Sequence, residues 1–318
     1  MLDILAITTP IFLLIVIGYF AVYRNIVPQT VVRGMGAFVI NFALPCLLIQ
    51  ALIARDITEV LNIDFLAVYG AGSLIVFASG YFFARLIAQK SQQNAALQGM
   101  GMSVSNSGFI GYPIVLQLLG PTAGIALALC FIIENLVITP LALILGDSAQ
   151  TEGASRYQIL RKTFGRLARN PIILALLFGL IISISGLSVP GPILTVIDML
   201  ASASGPVALF VIGGGLVGLK LRGLRFDIAR IVCGKLILHP LMIFLLLAFT
   251  PDLDPLMKIA AVSFACSPML SVFPIYGQRY GHEGVAAASL MAATSLAFVT
   301  ISTALWLLDS SAIFGPLP

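Results

Sequence analysis

Apolar runs long enough to span a hydrocarbon core, about 20 residues each, recur along almost the whole chain. Ten are counted, at roughly 4–23, 31–54, 64–88, 97–119, 122–145, 171–187, 192–219, 228–250, 256–279 and 284–308. The connections are mostly too short for soluble domains, the exception being 146–170. With 59% hydrophobic and 9% charged residues, this chain of 318 residues has too few charges to cover so much apolar surface in water. An all-α polytopic membrane protein follows, seated in a lipid bilayer. The net charge of +4 comes from few residues and gives no reason to expect nucleic acid. The first run lacks a basic region before it and a small-residue cleavage site after it, so it reads as a retained span and not a signal peptide. Cys46, Cys130, Cys233 and Cys266 lie in apolar runs without metal spacing and read as small core hydrophobes. No metal or cofactor is expected.

Lysine and arginine positions set the orientation. Loops after odd-numbered runs, with their flanks, carry Arg24, Arg33, Arg85, Lys90, Arg156, Arg161, Lys162, Arg166, Arg169, Lys220, Arg222, Arg225, Arg230, Lys235 and Arg279. The other side carries only Arg55 and Lys258, so the balance is fifteen to two. By the positive-inside rule both termini face away from the cytoplasm, and residues 146–170 form a basic cytoplasmic linker.

The chain also overlays on itself. A shift of 161 residues pairs Pro10 with Pro171, Gly18 with Gly179, Pro45 with Pro206 and Pro113 with Pro274. Each half, 1–145 and 171–318, then holds five spans, and an odd number turns the second half upside down. Two inverted five-helix repeats can exchange outward- and inward-facing shapes of similar energy, which is the architecture of a secondary transporter.

Spans four and nine are both interrupted. GMSVSNSGFIGYPIVLQLLG carries Ser103, Ser105, Asn106, Ser107, Gly108 and Pro113, and CSPMLSVFPIYG carries Ser267, Pro268, Ser271 and Pro274. Such residues break the helical ladder, and broken backbone at membrane depth is tolerated where protein or a wet cavity satisfies it. If the two segments cross, their half-helices turn amide groups and positive dipole ends toward an anion. The serines either orient that anion or serve close helix packing; Asn106 reads as a site residue. Asn41 stands four residues before Pro45 in span two, and Pro45 with its mate Pro206 reads as a simple kink or a paired hinge.

Glu134 is the carboxylate placed well inside a span, either a proton or cation carrier or a protonated group bonded to a neighbouring helix. Lys235 and His239 share one face of span eight. Lys235 reads as snorkelling to the headgroups from near the cytoplasmic end. His239 lies deeper, as a titrating proton partner or a satisfied packing residue. Asp198 reads as interfacial.

At NFALP (Asn41–Pro45), NSGFIGYP (Asn106–Pro113) and the proline-bearing ninth span ending at Tyr280–Gly281, the chain resembles the auxin efflux carrier family. That family includes plant exporters and bacterial permeases assigned to malonate or malate. The resemblance covers essentially the whole chain. It implies the fold of bile-acid sodium symporter-like proteins, with spans one, two, six and seven as scaffold. Spans three to five and eight to ten would form a mobile unit, with the fourth and ninth crossing and Asn106, Pro113 and Pro274 beside the substrate. It also admits a homodimer.

The expected function is a secondary active transporter in a bacterial inner membrane, moving a small organic anion such as a carboxylate or an auxin-like acid. It would work by alternating access with an elevator-type motion, linked to protons. Sodium coupling on the same fold, or a non-transporting membrane sensor, are the alternatives. No HExxH, no intramembrane aspartate pair and no serine–histidine motif supports an enzyme.

Overall fold

A backbone in hydrocarbon must satisfy its own N–H and C=O groups, so the apolar runs fold as helices. The computed structural model describes residues 2–53, 62–148, 161, 164–165, 168–185, 187, 189–218, 225–311 and 313–314. Most of the expected linker, Arg156, Lys162 and Arg166 among it, lies outside the described residues, as do Arg55, Lys220 and Arg222.

In chain order the helices are α1 (Leu2–Tyr23), α2 (Gln29–Ile53), α3 (Ile63–Ile87), α4 (Gln92–Ser103), α5 (Ser107–Leu119) and α6 (Thr122–Ser148). They continue with α7 (Pro171–Ser185), α8 (Gly191–Leu216), α9 (Arg225–Phe249), α10 (Pro255–Cys266), α11 (Phe273–Arg279) and α12 (Glu283–Ser311). Among the described residues seven are long and apolar enough to cross a membrane, α1, α2, α3, α6, α8, α9 and α12, while α5, α7 and α10 are shorter apolar helices. Several starts carry a side-chain cap, as capping rules require. The Asn62 side chain accepts from Phe65 N at 2.9 Å, and Asp254 accepts from Leu256 N at 2.9 Å.

The expected spans four and nine are each two helices. The fourth starts earlier than hydropathy suggests, at Gln92, because α4 is a polar segment. Every residue from Asn94 to Ser103 is buried, so protein encloses what lipid could not.

Two groups of helices are evident. In one, α1 packs on α8, α7 on α2, and α8 on α2; in the other, α3 packs on α4 and α9, α4 on α6, α9 on α10, and α11 on α12. Under the 161-residue shift α1 corresponds to α7 and α2 to α8, so α1 on α8 and α7 on α2 are one contact made twice. The paired glycines sit in those contacts. A Cβ on Gly18 would stand 2.1 Å from the Phe210 carbonyl oxygen of α8, and one on Gly179 would stand 2.8 Å from Leu52 Cδ1 of α2. These pseudo-symmetric contacts are consistent with an inverted-repeat fold.

The cysteines follow the expectation in part. Cys130 and Cys266 are buried and Cys46 is half-buried, but Cys233 is exposed on the outer face of α9, where lipid would meet it.

The α1–α8 contact gives the first test. On Gly213 a Cβ would lie 1.8 Å from the Ile15 carbonyl oxygen, whereas on Gly34 it would meet nothing within 4 Å. Gly213→Ala should cost about 1–3 kcal/mol through overpacking, seen as a lower Tm in detergent, while Gly34→Ala should not lower it.

Candidate functional site

The breaks in spans four and nine meet. After α4 the chain is extended at Val104, and Ser105 pairs with Met269 in an isolated antiparallel bridge. Asn106 N donates to the Pro268 carbonyl at 2.7 Å. The C-terminal ends of α4 and α10 and the N-terminal end of α5 therefore converge on one point.

Cavities open beside it. One of about 260 Å³ is lined by Ser105, Asn106, Ser107, Gly108, Glu134 and Ser271, with further apolar and amide groups. A second of about 550 Å³ is lined by Arg33, Asn41, Asn106, Ser271 and Pro274. A third of about 620 Å³ lies beside Pro113 and Pro206, between α1, α2, α5 and α8. Asn106 borders the first two. Its side-chain Nδ2 is buried and meets no acceptor in the protein, an uncommon and costly state for an amide.

Pro113 and Pro206 are thus drawn together at the third cavity, away from Asn41, Asn106, Ser271 and Pro274. Ser103 lines none of the three, and its hydroxyl donates to Gly99 O at 2.8 Å within α4. Ser267 is buried with no hydrogen-bond partner for its Oγ. The Asn41 amide donates to Ala37 O at 2.8 Å, one turn back on α2.

Behind the crossing lies a buried polar network. Glu134 Oε1 accepts from Ser107 Oγ at 2.6 Å, Tyr69 OH at 3.0 Å and Ser105 N at 3.3 Å. On the other side of Ser105, the Lys235 ammonium donates to Ser105 Oγ at 2.7 Å, His239 Nδ1 at 2.6 Å and Ala265 O at 3.0 Å. His239 Nε2 reaches Ser73 Oγ at 3.0 Å. Ser105, on the extended break, thus links an acid on α6 to a base on α9.

Lys235 corrects the expectation of snorkelling. It is fully buried, 0% exposed, with its ammonium held at the crossover and not at the headgroups. Position along a span does not fix direction, because a lysine stem is long enough to point along its helix either way.

A local device places these groups. The α2 helix widens to an i→i+5 turn at Val39–Ala43, α5 at Ser107–Gly111, α6 at Ile133–Ile138 and α9 at Gly234–Leu238. In each case a proline follows within two residues: Pro45, Pro113, Pro140 and Pro240. Proline lacks an N–H and crowds the carbonyl one turn earlier, and a widened turn relieves both. Asn41, Ser107, Glu134 and Lys235 lie on those four turns. Sequence reading missed this spacing, although the prolines were visible. It also missed Tyr69, an aromatic in an apolar run with nothing to mark its hydroxyl, and Arg33, counted only toward orientation.

Away from the crossover two ion-pair clusters join helices within one group. Asp227 pairs with Lys90 at 2.9 Å and with Arg230 at 2.5 Å, and Asp147 pairs with Arg279 at 2.5 Å while accepting from Tyr280 OH at 3.1 Å. Among the described residues no group of three or more His, Cys, Asp or Glu side chains is arranged to hold a metal.

The profile of a family described as "Membrane transport protein" matches residues 4–307. The chain is similar to "Putative malonate transporter" of Rhizobium meliloti (strain 1021), 29% identical over 318 residues and 98% of each chain. It is also similar to "Uncharacterized transporter YfdV" of Escherichia coli (strain K12), 25% identical over 74% of this chain and 76% of that one. A third similarity, 28% identical over 72% of this chain, is to 28% of the length of "Lysosomal cholesterol signaling protein" of Mus musculus.

Proposed function

Since the chain belongs to the membrane transport protein family, we propose that it is a secondary carrier of a small organic anion, a carboxylate, working by alternating access. The observation that carries this reading is the Asn106 amide, unpartnered and buried at the crossing of two broken helices, on the shared wall of two adjoining cavities. A buried N–H donor without an acceptor is matched by an anionic oxygen. The amide end of α5 adds positive potential beside it. Arg33 supplies a full charge on the wall of the larger cavity and has no ion pair among the described residues. The name of the Rhizobium relative, which covers nearly the same length, supports a dicarboxylate such as malonate as the first candidate.

In this reading the ten spans form two inverted repeats, 1–145 and 171–318, joined by a cytoplasmic linker at 146–170. The protein sits in a bacterial inner membrane with both termini outside. The group α1, α2, α7 and α8 stays fixed. The group holding the crossover moves against it in an elevator-type step, carrying Asn106 and its cargo between the second and third cavities. Gln29 and Arg33 then mark the cytoplasmic mouth.

Proton linkage runs through Glu134. One carboxylate oxygen is held by three donors, and the residue borders the smaller cavity, so a proton can be exchanged there without dismantling the crossing. His239, which accepts from Lys235 on the far side of Ser105, is the second candidate for the proton path.

Reconstituted protein should accumulate labelled malonate or malate under a proton gradient and show saturable counterflow; absence of any flux for small carboxylates would refute the carrier. Asn106→Ala should lower the uptake rate at least tenfold with folded protein retained, and full activity would remove Asn106 from the site. In Glu134→Gln, uptake should no longer depend on the imposed pH difference; an unchanged pH response would reassign Glu134 to structure. Arg33→Gln should raise KM several-fold at low salt, with the difference shrinking as salt screens the charge. A KM equal to wild type at low salt would exclude Arg33 from anion capture.

A further inference from the structure

The carbonyls at the C-terminal end of a broken helix have no intrahelical partner and carry the negative end of its dipole. In carriers coupled to a metal cation, ends of this kind and unwound carbonyls hold the ion. Here α10 ends at Cys266, and the carbonyl of Ala265, in its last turn, accepts from Lys235 at 3.0 Å. A lysine ammonium has three N–H donors and no acceptor. It meets three acceptors, Ala265 O, Ser105 Oγ at 2.7 Å and His239 Nδ1 at 2.6 Å. The ring then turns its other nitrogen, Nε2–H, to Ser73 Oγ, so the ammonium and imidazole donors each find an acceptor. The side chain is completely enclosed, and it reaches this point from a widened turn that Pro240 follows. The Glu134 carboxylate, on the other side of Ser105, balances its charge.

We propose that Lys235 is a resident cation: its ammonium fills the coordination place a coupling metal ion would take at the end of α10, so the carrier works without sodium. Removing the amine leaves a vacant polar site that takes up a small monovalent cation. The inference rests on the carrier reading for its meaning in transport. Its test is a binding measurement that needs no substrate.

Purified wild type, Lys235→Ala and Lys235→Met would be unfolded thermally in choline, sodium, potassium and ethylammonium chlorides at one ionic strength. Wild type should have one Tm in all four. Lys235→Ala should melt lower in choline and be restored, saturably, by sodium or ethylammonium, or be recovered folded only in their presence. Lys235→Met, whose chain fills the space without a charge, should not respond. A saturable sodium-specific rise of Tm in wild type would overturn the proposal. So would Lys235→Ala that is indifferent to the cation, or is recovered folded in none of them. A wild type indifferent to sodium that also fails to move carboxylates would leave the resident cation standing and overturn only the carrier reading.

Discussion

The single hydrogen bond from Asn106 N to the Pro268 carbonyl, with the Ser105–Met269 bridge beside it, holds together the part of the chain that no helix could hold. Two helices are interrupted there, and each interruption frees backbone groups that lipid would leave unsatisfied at a cost of several kcal/mol apiece. The two breaks answer one another. The surroundings are arranged to keep water and lipid from doing it instead: α4 is buried from Asn94 to its end, α6 and α9 pack against it, and α10 packs against both of those. Asn106 has its backbone N–H satisfied by this contact while its side-chain Nδ2 is left without an acceptor.

The widened turns explain how polar groups come to face that point from four different helices. A regular helix repeats its contacts every turn, so an acid or a base placed on its buried face would have its neighbours fixed by the ladder. An i→i+5 turn ahead of a proline shifts the register locally and swings one side chain inward without breaking the helix. Glu134 and Lys235 each sit on such a turn, and Ser105 lies between them on the extended break.

Much of this was legible in the sequence. Ten apolar runs mark the helices, and the glycines and prolines repeated at a fixed shift mark both the crossing and the contact of α1 with α8. The interruption of span four was readable from Asn106, Ser107, Gly108 and Pro113, because those residue types act locally. Lys235 was misread because its destination depends on how α9 packs against α3 and α10, which is long-range information. Tyr69 escaped for the same reason: nothing near it in the chain distinguishes a hydroxyl turned toward Glu134 from one turned toward the headgroups. Arg33 was read for its side of the membrane alone, and only the packing of α2 against the crossover gives it a cavity to face.

The two ion-pair clusters, Asp227 with Lys90 and Arg230, and Asp147 with Arg279, each tie together helices of the group that carries the crossover. In each pair the carboxylate is largely enclosed and the basic partner part-exposed. A displacement of one helix group past the other breaks neither cluster. What it would disturb is the packing across the seam, where each atomic contact is worth about 0.1–0.2 kcal/mol, together with the buried Thr8–Ser302 hydrogen bond of 3.1 Å and the Phe12–Phe298 edge contact between α1 and α12. In the elevator-type step proposed above, the charged clamps would keep the crossover group stiff, and the seam would be the part that gives.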